Sequence, residues 1–237
     1  MKGLLCIGGR QPDPVLAVRI AGTNDICVAA DSGLESALSL GIRPDYIVGD
    51  MDSISDRSLL AGFPEDRILI YPSDKDETDT ELALRLLLDK GVDEIVLVGG
   101  SGGRLDHILS LRALFERTAG IPSLWIGEET VTVACGTGSA YSGCDVQNLA
   151  ATDPVSVFPA GASVHESSSE GFFWNPDSVS WDRNEYSLSN KSVTGSVRFF
   201  AEKGLFLLMF PLSATIEYTP IRKQDIEQQY GSALHHT

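Results

Sequence analysis

The sequence predicts an N-terminal α/β domain, a mostly parallel six-stranded sheet with flanking helices, followed by a C-terminal all-β sandwich domain. Three observations lead there. Up to about residue 130, short and nearly continuous apolar runs alternate with helical patterns, as expected when helices cover both faces of a parallel sheet. Beyond that point the helical pattern gives way to short β-branched and aromatic runs separated by Gly, Ser, Asn and Pro, which is sandwich patterning. The length of 237 residues suits one large domain or two modest ones, and 43% hydrophobic with 22% charged residues excludes disordered, collagenous and membrane classes.

Six runs read as strands in the first part: GLLCIGG at 3–9, ICVAA at 26–30, YIVGD at 46–50, RILIY at 67–71, EIVLVGG at 94–100 and SLWIG at 123–127. The clearest helix is TDTELALRLLLDKG at 78–91, where Thr78 and Glu81 have capping-box spacing and Gly91 supplies a stop. Another helix is expected from Leu105 to Thr118. The domain boundary is placed at residue 130, giving domains 1–130 and 131–237. In the second, VTVAC, VSVFP, SVRFF and LFLLMF read as strands, SSSEG at 167–171 as a flexible turn, and the last fifteen residues as a helix.

Lys plus Arg number 18 and Asp plus Glu 33, a net charge of −15, which argues against nucleic acid or an anionic membrane surface as a partner. Four cysteines, Cys6, Cys27, Cys135 and Cys144, form no CxxC pair and no zinc-like spacing, so a reduced cytoplasm is expected. Arg10 and Pro12 interrupt the first apolar run before it reaches signal-peptide length, and no stretch approaches membrane-spanning length.

In an open parallel sheet, ligands bind beyond the carboxyl ends of the strands, and here those ends carry aspartates. The second strand ends in Asp31, the third in Asp50 and Asp52 within GDMDS, and the fourth leads into SDKDETD with Asp74, Asp76 and Asp79. If the backbone stays extended, Asp50 and Asp52 project to one side roughly 6–7 Å apart. Each aspartate alone is a common turn or helix-start residue. Together, converging like charges require a cation, and oxygen-only ligands favour Mg²⁺ over Zn²⁺. The glycine-rich run Gly99, Gly100, Ser101, Gly102, Gly103 follows the fifth strand and precedes a helix opened by Arg104, Asp106 and His107. Its amides are suited to cradling an anion, and the Arg104 guanidinium to gripping a phosphate. The run lacks the Lys-Ser/Thr of a Walker loop and the third glycine of a dinucleotide fingerprint. For His107 a helix-positioning role is the expectation.

Taken in order, ADSG at 30–33, GDMDS at 49–53, SDKDETD at 73–79 and GGRLDH at 102–107 resemble the thiamine pyrophosphokinase family. EGFFWNP at 170–176 and SLSN at 187–190 resemble that family's thiamine-binding sandwich more loosely. Phe172 stands where the family commonly has Leu, and Lys191 where an acidic residue is frequent. The resemblance implies transfer of the diphosphate of ATP to the hydroxyethyl group of thiamine, giving thiamine diphosphate and AMP. It also implies a homodimer with thiamine bound at the subunit interface.

Carried over residue by residue, the resemblance implies a metal and diphosphate cluster of Asp31, Asp50, Asp52 and Asp79, supported by Asp76. It implies nucleotide contacts from Gly102, Gly103, Arg104, Asp106, His107 and Lys75. Asp79 is favoured over Asp52 as acceptor of the alcohol proton. Trp174 is the expected platform for the cationic thiazolium, a buried core tryptophan being the rival reading. Ser187, Ser189 and Asn190 are the expected partners of the aminopyrimidine. Two other functions share these features: a diphosphokinase acting on a hydroxymethylpterin, and a non-catalytic thiamine sensor, which would not require the whole aspartate set.

Overall fold

A computed structural model describes residues 1–183 and 185–222 of the chain, which divide into two compact units. One comprises Met1–Leu114 with Leu124–Glu129; the other comprises Phe115–Ser123 and the chain from Thr130 onward.

The first unit contains β1 (Lys2–Cys6), α1 (Pro14–Ala21), β2 (Ile26–Ala30), α2 (Gly33–Ser39), β3 (Tyr46–Gly49), β4 (Ile68–Ile70), α3 (Asp79–Asp89), β5 (Glu94–Val98), α4 (Leu105–Ala113) and β6 (Leu124–Ile126). All six expected strands form, and every pairing among them is parallel, in the order β6-β5-β1-β2-β3-β4. The apolar runs are continuous because both faces are covered: β2 and β5 are buried at all five positions. Leu84, Leu87 and Leu97 pack with Val28 on one face, while Leu34, Ile47 and Met51 pack with Ala29 on the other. Burying each such leucine fully stabilises the fold by about 1.5–3 kcal/mol.

Local chemistry fixes the helix starts. Asp13 accepts the N–H of Leu16 ahead of Pro14 in the first turn of α1. Thr78 and Glu81 close the reciprocal capping box of α3, as their spacing predicts. The helix expected over 105–118 is regular only to Ala113, then tightens into a 3₁₀ turn over Leu114–Glu116. Between β3 and β4 the connection is 3₁₀ turns rather than an α-helix. Successive strands lie on one side of β1 up to β4 and on the other side for β5 and β6, so the order reverses at β1. That reversal opens a crevice beyond the carboxyl ends of β1, β2 and β5.

The second unit contains β7 (Thr130–Gly136), β8 (Tyr141–Gln147), β9 (Val155–Ala160), β10 (Glu166–Glu170), β11 (Ser187–Asn190), β12 (Val197–Lys203), β13 (Leu205–Pro211) and β14 (Glu217–Arg222). They form two antiparallel sheets, β7-β13-β9-β11 and β14-β8-β12-β10, which meet at the single pairing of Cys135 with Tyr141. Aromatic rings fill the space between the sheets. Phe206 meets Phe199 edge-on at 5.2 Å and Trp181 at 5.1 Å.

SSSEG is not a turn. Residues 166–170 form β10, in register with β12 through Ser168↔Phe200 and Ser169↔Phe199. Pairing with a strong neighbouring strand overrides the turn preference of serine. The helix expected in the last fifteen residues falls on 223–237, outside the described residues. All four cysteines are buried and free. Among the described residues no helix is long and apolar enough to cross a membrane.

Candidate active site

Asp31 follows β2, Asp50 follows β3 and Asp79 opens α3, so parallel strand ends bring together residues distant in sequence. One carboxylate oxygen of each lies within 4.8 Å of the other two. Asp31 is 8% exposed; its Oδ2 accepts the hydroxyl of Ser53, whereas its buried Oδ1 has no hydrogen-bond partner. Burial pushes the Asp31 carboxyl above its ordinary value, the charges of Asp79, Asp50 and Asp52 add to this, and the Ser53 hydroxyl partly offsets it. The hydroxyl of Ser73 and the N–H of Asp52 hold Asp50 below its ordinary value. A buried carboxylate oxygen without a donor, in an all-oxygen set, fits a hard divalent cation.

Asp52 stands outside this trio. Met51 adopts φ +62°, so the chain turns where an extended backbone was expected, and Asp50 Oδ1 instead accepts the Asp52 N–H at 3.1 Å. Asp76 and Asp74 are exposed on the loop before α3 and are not among the three converging carboxylates. Lys75 is not a solvated surface lysine: its ammonium lies 3.1 Å from Asp79 Oδ1, donates to Pro72 O at 2.9 Å, and has a side chain only 17% exposed.

Gly49 has no place among the residues singled out from the sequence, yet it permits the cluster. It adopts φ +147°, and a Cβ there would lie 3.2 Å from Asp31 Cβ and 3.2 Å from Asp79 Cγ. The glycine of GDMDS is the signal that marked it.

A cavity of about 480 Å³ lies at the switch point, lined by Asp31, Ser53 and Asp79 on one side and by Gly102, Gly103, Arg104 and His107 on the other. Gly100, Gly102 and Gly103 line the cavity without a Cβ, and with Gly99 they adopt positive φ, which glycine takes without strain. The exposed Arg104 guanidinium is bound by both oxygens of Asp106, which raises the guanidinium pKa and lowers that of the carboxyl. Asp106 thus holds Arg104 at the helix start, and also accepts the N–H of His107. The His107 residue is exposed on the cavity wall.

In the second unit, Trp174 is 57% exposed, which excludes the core reading; the buried tryptophan there is Trp181, at 5%. Phe173 meets Trp174 edge-on at 4.8 Å, and the Lys191 ammonium stands 4.6 Å from the Phe173 ring centre and 5.8 Å from that of Trp174. Ser187 and Asn190 are buried and bonded to each other, whereas Ser189 is exposed, adopts φ +53° and donates its N–H to Ser156 Oγ at 3.0 Å.

Residues 18–120 match the family model described as thiamin pyrophosphokinase, catalytic domain. A thiamine pyrophosphokinase of Bacillus subtilis (strain 168) is 38% identical over 85 residues, a match spanning 35% of this chain and 39% of the relative's length. A crystal structure of thiamine pyrophosphokinase from Bacillus subtilis superposes with a TM-score of 0.67 at 21% identity, covering 89% of this chain and 99% of the other. The thiamin pyrophosphokinase from Candida albicans gives 0.62 at 15% identity, over 90% and 89% of the two chains. The resemblance of this chain to the thiamine pyrophosphokinase family is thereby shown, by sequence over residues 18–120 and by fold over about nine-tenths of its length.

Proposed function

We propose that this chain is a thiamine pyrophosphokinase that transfers the diphosphate of ATP to the hydroxyethyl group of thiamine, yielding thiamine diphosphate and AMP. The observation that carries this reading is the convergence of Asp31, Asp50 and Asp79 at the switch point, across a cavity from a glycine loop and Arg104. In this reading the first unit binds ATP and Mg²⁺ and the second binds thiamine.

The thiamine hydroxyl oxygen attacks the β-phosphorus, a new O–P bond forms, and the bond from the β-phosphorus to the α,β-bridging oxygen breaks with AMP as leaving group. Asp31, Asp50 and Asp79 would hold Mg²⁺, which would supply positive charge against the negative charge on the phosphoryl oxygens. The loop amides of 99–103 and the Arg104 guanidinium grip the triphosphate, and Asp106 keeps that guanidinium oriented. Lys75 adds a cation beside the cluster. Asp79, which lines the cavity beside Lys75, accepts the alcohol proton, and the exposed Asp52 is the alternative acceptor. Asp76, exposed on the loop before α3, supports the cluster from outside the trio.

Trp174 supplies the aromatic face for the thiamine rings. The protein acts in the cytoplasm as a homodimer with thiamine at the subunit interface, the interface part of this reading being supported by the exposed Phe173, Trp174, Tyr186 and Leu188. The deciding experiment is nucleotide analysis after incubation with ATP, Mg²⁺ and thiamine. AMP with thiamine diphosphate is expected. ADP, no thiamine-dependent turnover, or AMP formed only with a hydroxymethylpterin would overturn the proposal.

A further inference from the structure

The side chain of Asn190 is 1% exposed, although it lies in the segment expected to meet the aminopyrimidine. A carboxamide offers two N–H donors and one oxygen with two lone pairs. All are used within the unit. Oδ1 accepts the N–H of Trp174 at 3.1 Å and of Lys191 at 2.9 Å, while Nδ2 donates to Trp174 O at 2.6 Å and to Ser187 Oγ at 3.0 Å. No hydrogen-bonding capacity is left for a ligand.

The backbone around it explains the arrangement. Residues 171–174 run antiparallel to 190–193: Val193 N–H donates to Gly171 O at 2.8 Å, Phe173 N–H donates to Lys191 O at 2.9 Å, and Phe172 bridges Ser192. At Trp174 the ladder is continued by a side chain, with one amide bonding both the N–H and the C=O of the same residue. The register shift between Ser187 and Asn190 and the positive φ of Ser189 set that amide beside Trp174. The Trp174 indole is 57% exposed and has the edge-on Phe173 ring as its aromatic neighbour, so the fixed backbone bonds carry much of its orientation.

We propose that Asn190 is a positioning residue whose carboxamide acts as a surrogate peptide group, fixing Trp174 as an outward platform for the substrate ring without touching the substrate itself. This rests on the thiamine reading for the identity of the substrate, but the positioning can be measured without any ligand. Asn190→Asp keeps the shape and the two accepted bonds but sets an anionic oxygen against Trp174 O. In protein labelled with 5-fluorotryptophan, ¹⁹F NMR reports Trp125, Trp174 and Trp181 separately, the second being assigned by Trp174→Phe. The expected result is a shifted and broadened Trp174 signal with the other two unchanged. Asn190→Ala, which removes the bonds without adding charge, repeats the measurement should the aspartate also disturb Trp181.

Thiamine titration then adds a double-mutant cycle. Asn190→Asp is expected to weaken binding about tenfold, and to add nothing in a Trp174→Ala background. An unchanged Trp174 signal in both variants, or losses that multiply in the double mutant, would overturn the proposal. A disturbed Trp174 signal with no thiamine binding by the parent protein would instead sink the substrate assignment and leave the positioning intact.

Discussion

Replacing Asp31 with asparagine should stabilise the protein in the absence of divalent metal while removing its response to metal. Oxygens of Asp31, Asp50 and Asp79 lie within 4.8 Å of one another, and at that distance two unit charges repel by about 0.9 kcal/mol in a water-like dielectric and about 3.5 kcal/mol at an effective dielectric of 20. Asp31 takes part in two such pairs. The Lys75 ammonium beside Asp79 and solvent at Asp50 offset part of this, leaving a net gain on neutralisation of about 1–2 kcal/mol. For a chain of this size that raises Tm by about 3–6 °C. The amide retains an acceptor for the Ser53 hydroxyl and gains a donor towards its former repulsive partners.

The sign with pH follows from the same geometry. Burial raises the Asp31 pKa in the folded protein above its unfolded value, so the native state binds the proton more tightly. Metal-free stability contributed by this group is therefore present below the ordinary carboxylate range and lost as pH rises through the raised value. Asp31→Asn should lack that loss. Thermal unfolding in EDTA and across a Mg²⁺ titration measures both effects. A lower Tm for the variant in EDTA, together with a parental Mg²⁺ response, would refute the repulsive cluster and its assignment as a metal site.

Three further outcomes are expected. Gly49→Ala forces a Cβ to 3.2 Å from Asp31 and Asp79 at a left-handed φ, so Mn²⁺ affinity measured by calorimetry should fall at least tenfold; unchanged affinity would show that the close approach is not needed. Trp174→Ala should raise the thiamine KM about tenfold with Tm unchanged, whereas Trp181→Ala should cost about 3–5 kcal/mol of stability, and reversed effects would contradict their exposures of 57% and 5%. Lys191→Met should tighten thiamine binding about three- to tenfold, because an ammonium 4.6–5.8 Å from the aromatic pair competes with a cationic ring; weaker binding would mean that Lys191 contacts the substrate favourably.

Much of this arrangement was legible in the residues alone. Continuous apolar runs announced the six parallel strands because two-sided burial leaves no room for alternation, and Thr78 with Glu81 announced the start of α3 because a capping box is local chemistry. Aspartates at successive strand ends pointed to one rim because parallel strands share a direction. The sequence could not reveal which carboxylates converge. That depended on the backbone turn at Met51, which removed Asp52 from the trio, and on the missing Cβ at Gly49, which admitted Asp31 and Asp79 together. The same division separates Trp174 from Trp181 and gives SSSEG its place in β10, since burial and strand pairing are set by neighbours distant along the chain. Local signals determined the elements and the chemistry available; packing between remote segments decided which side chains could meet.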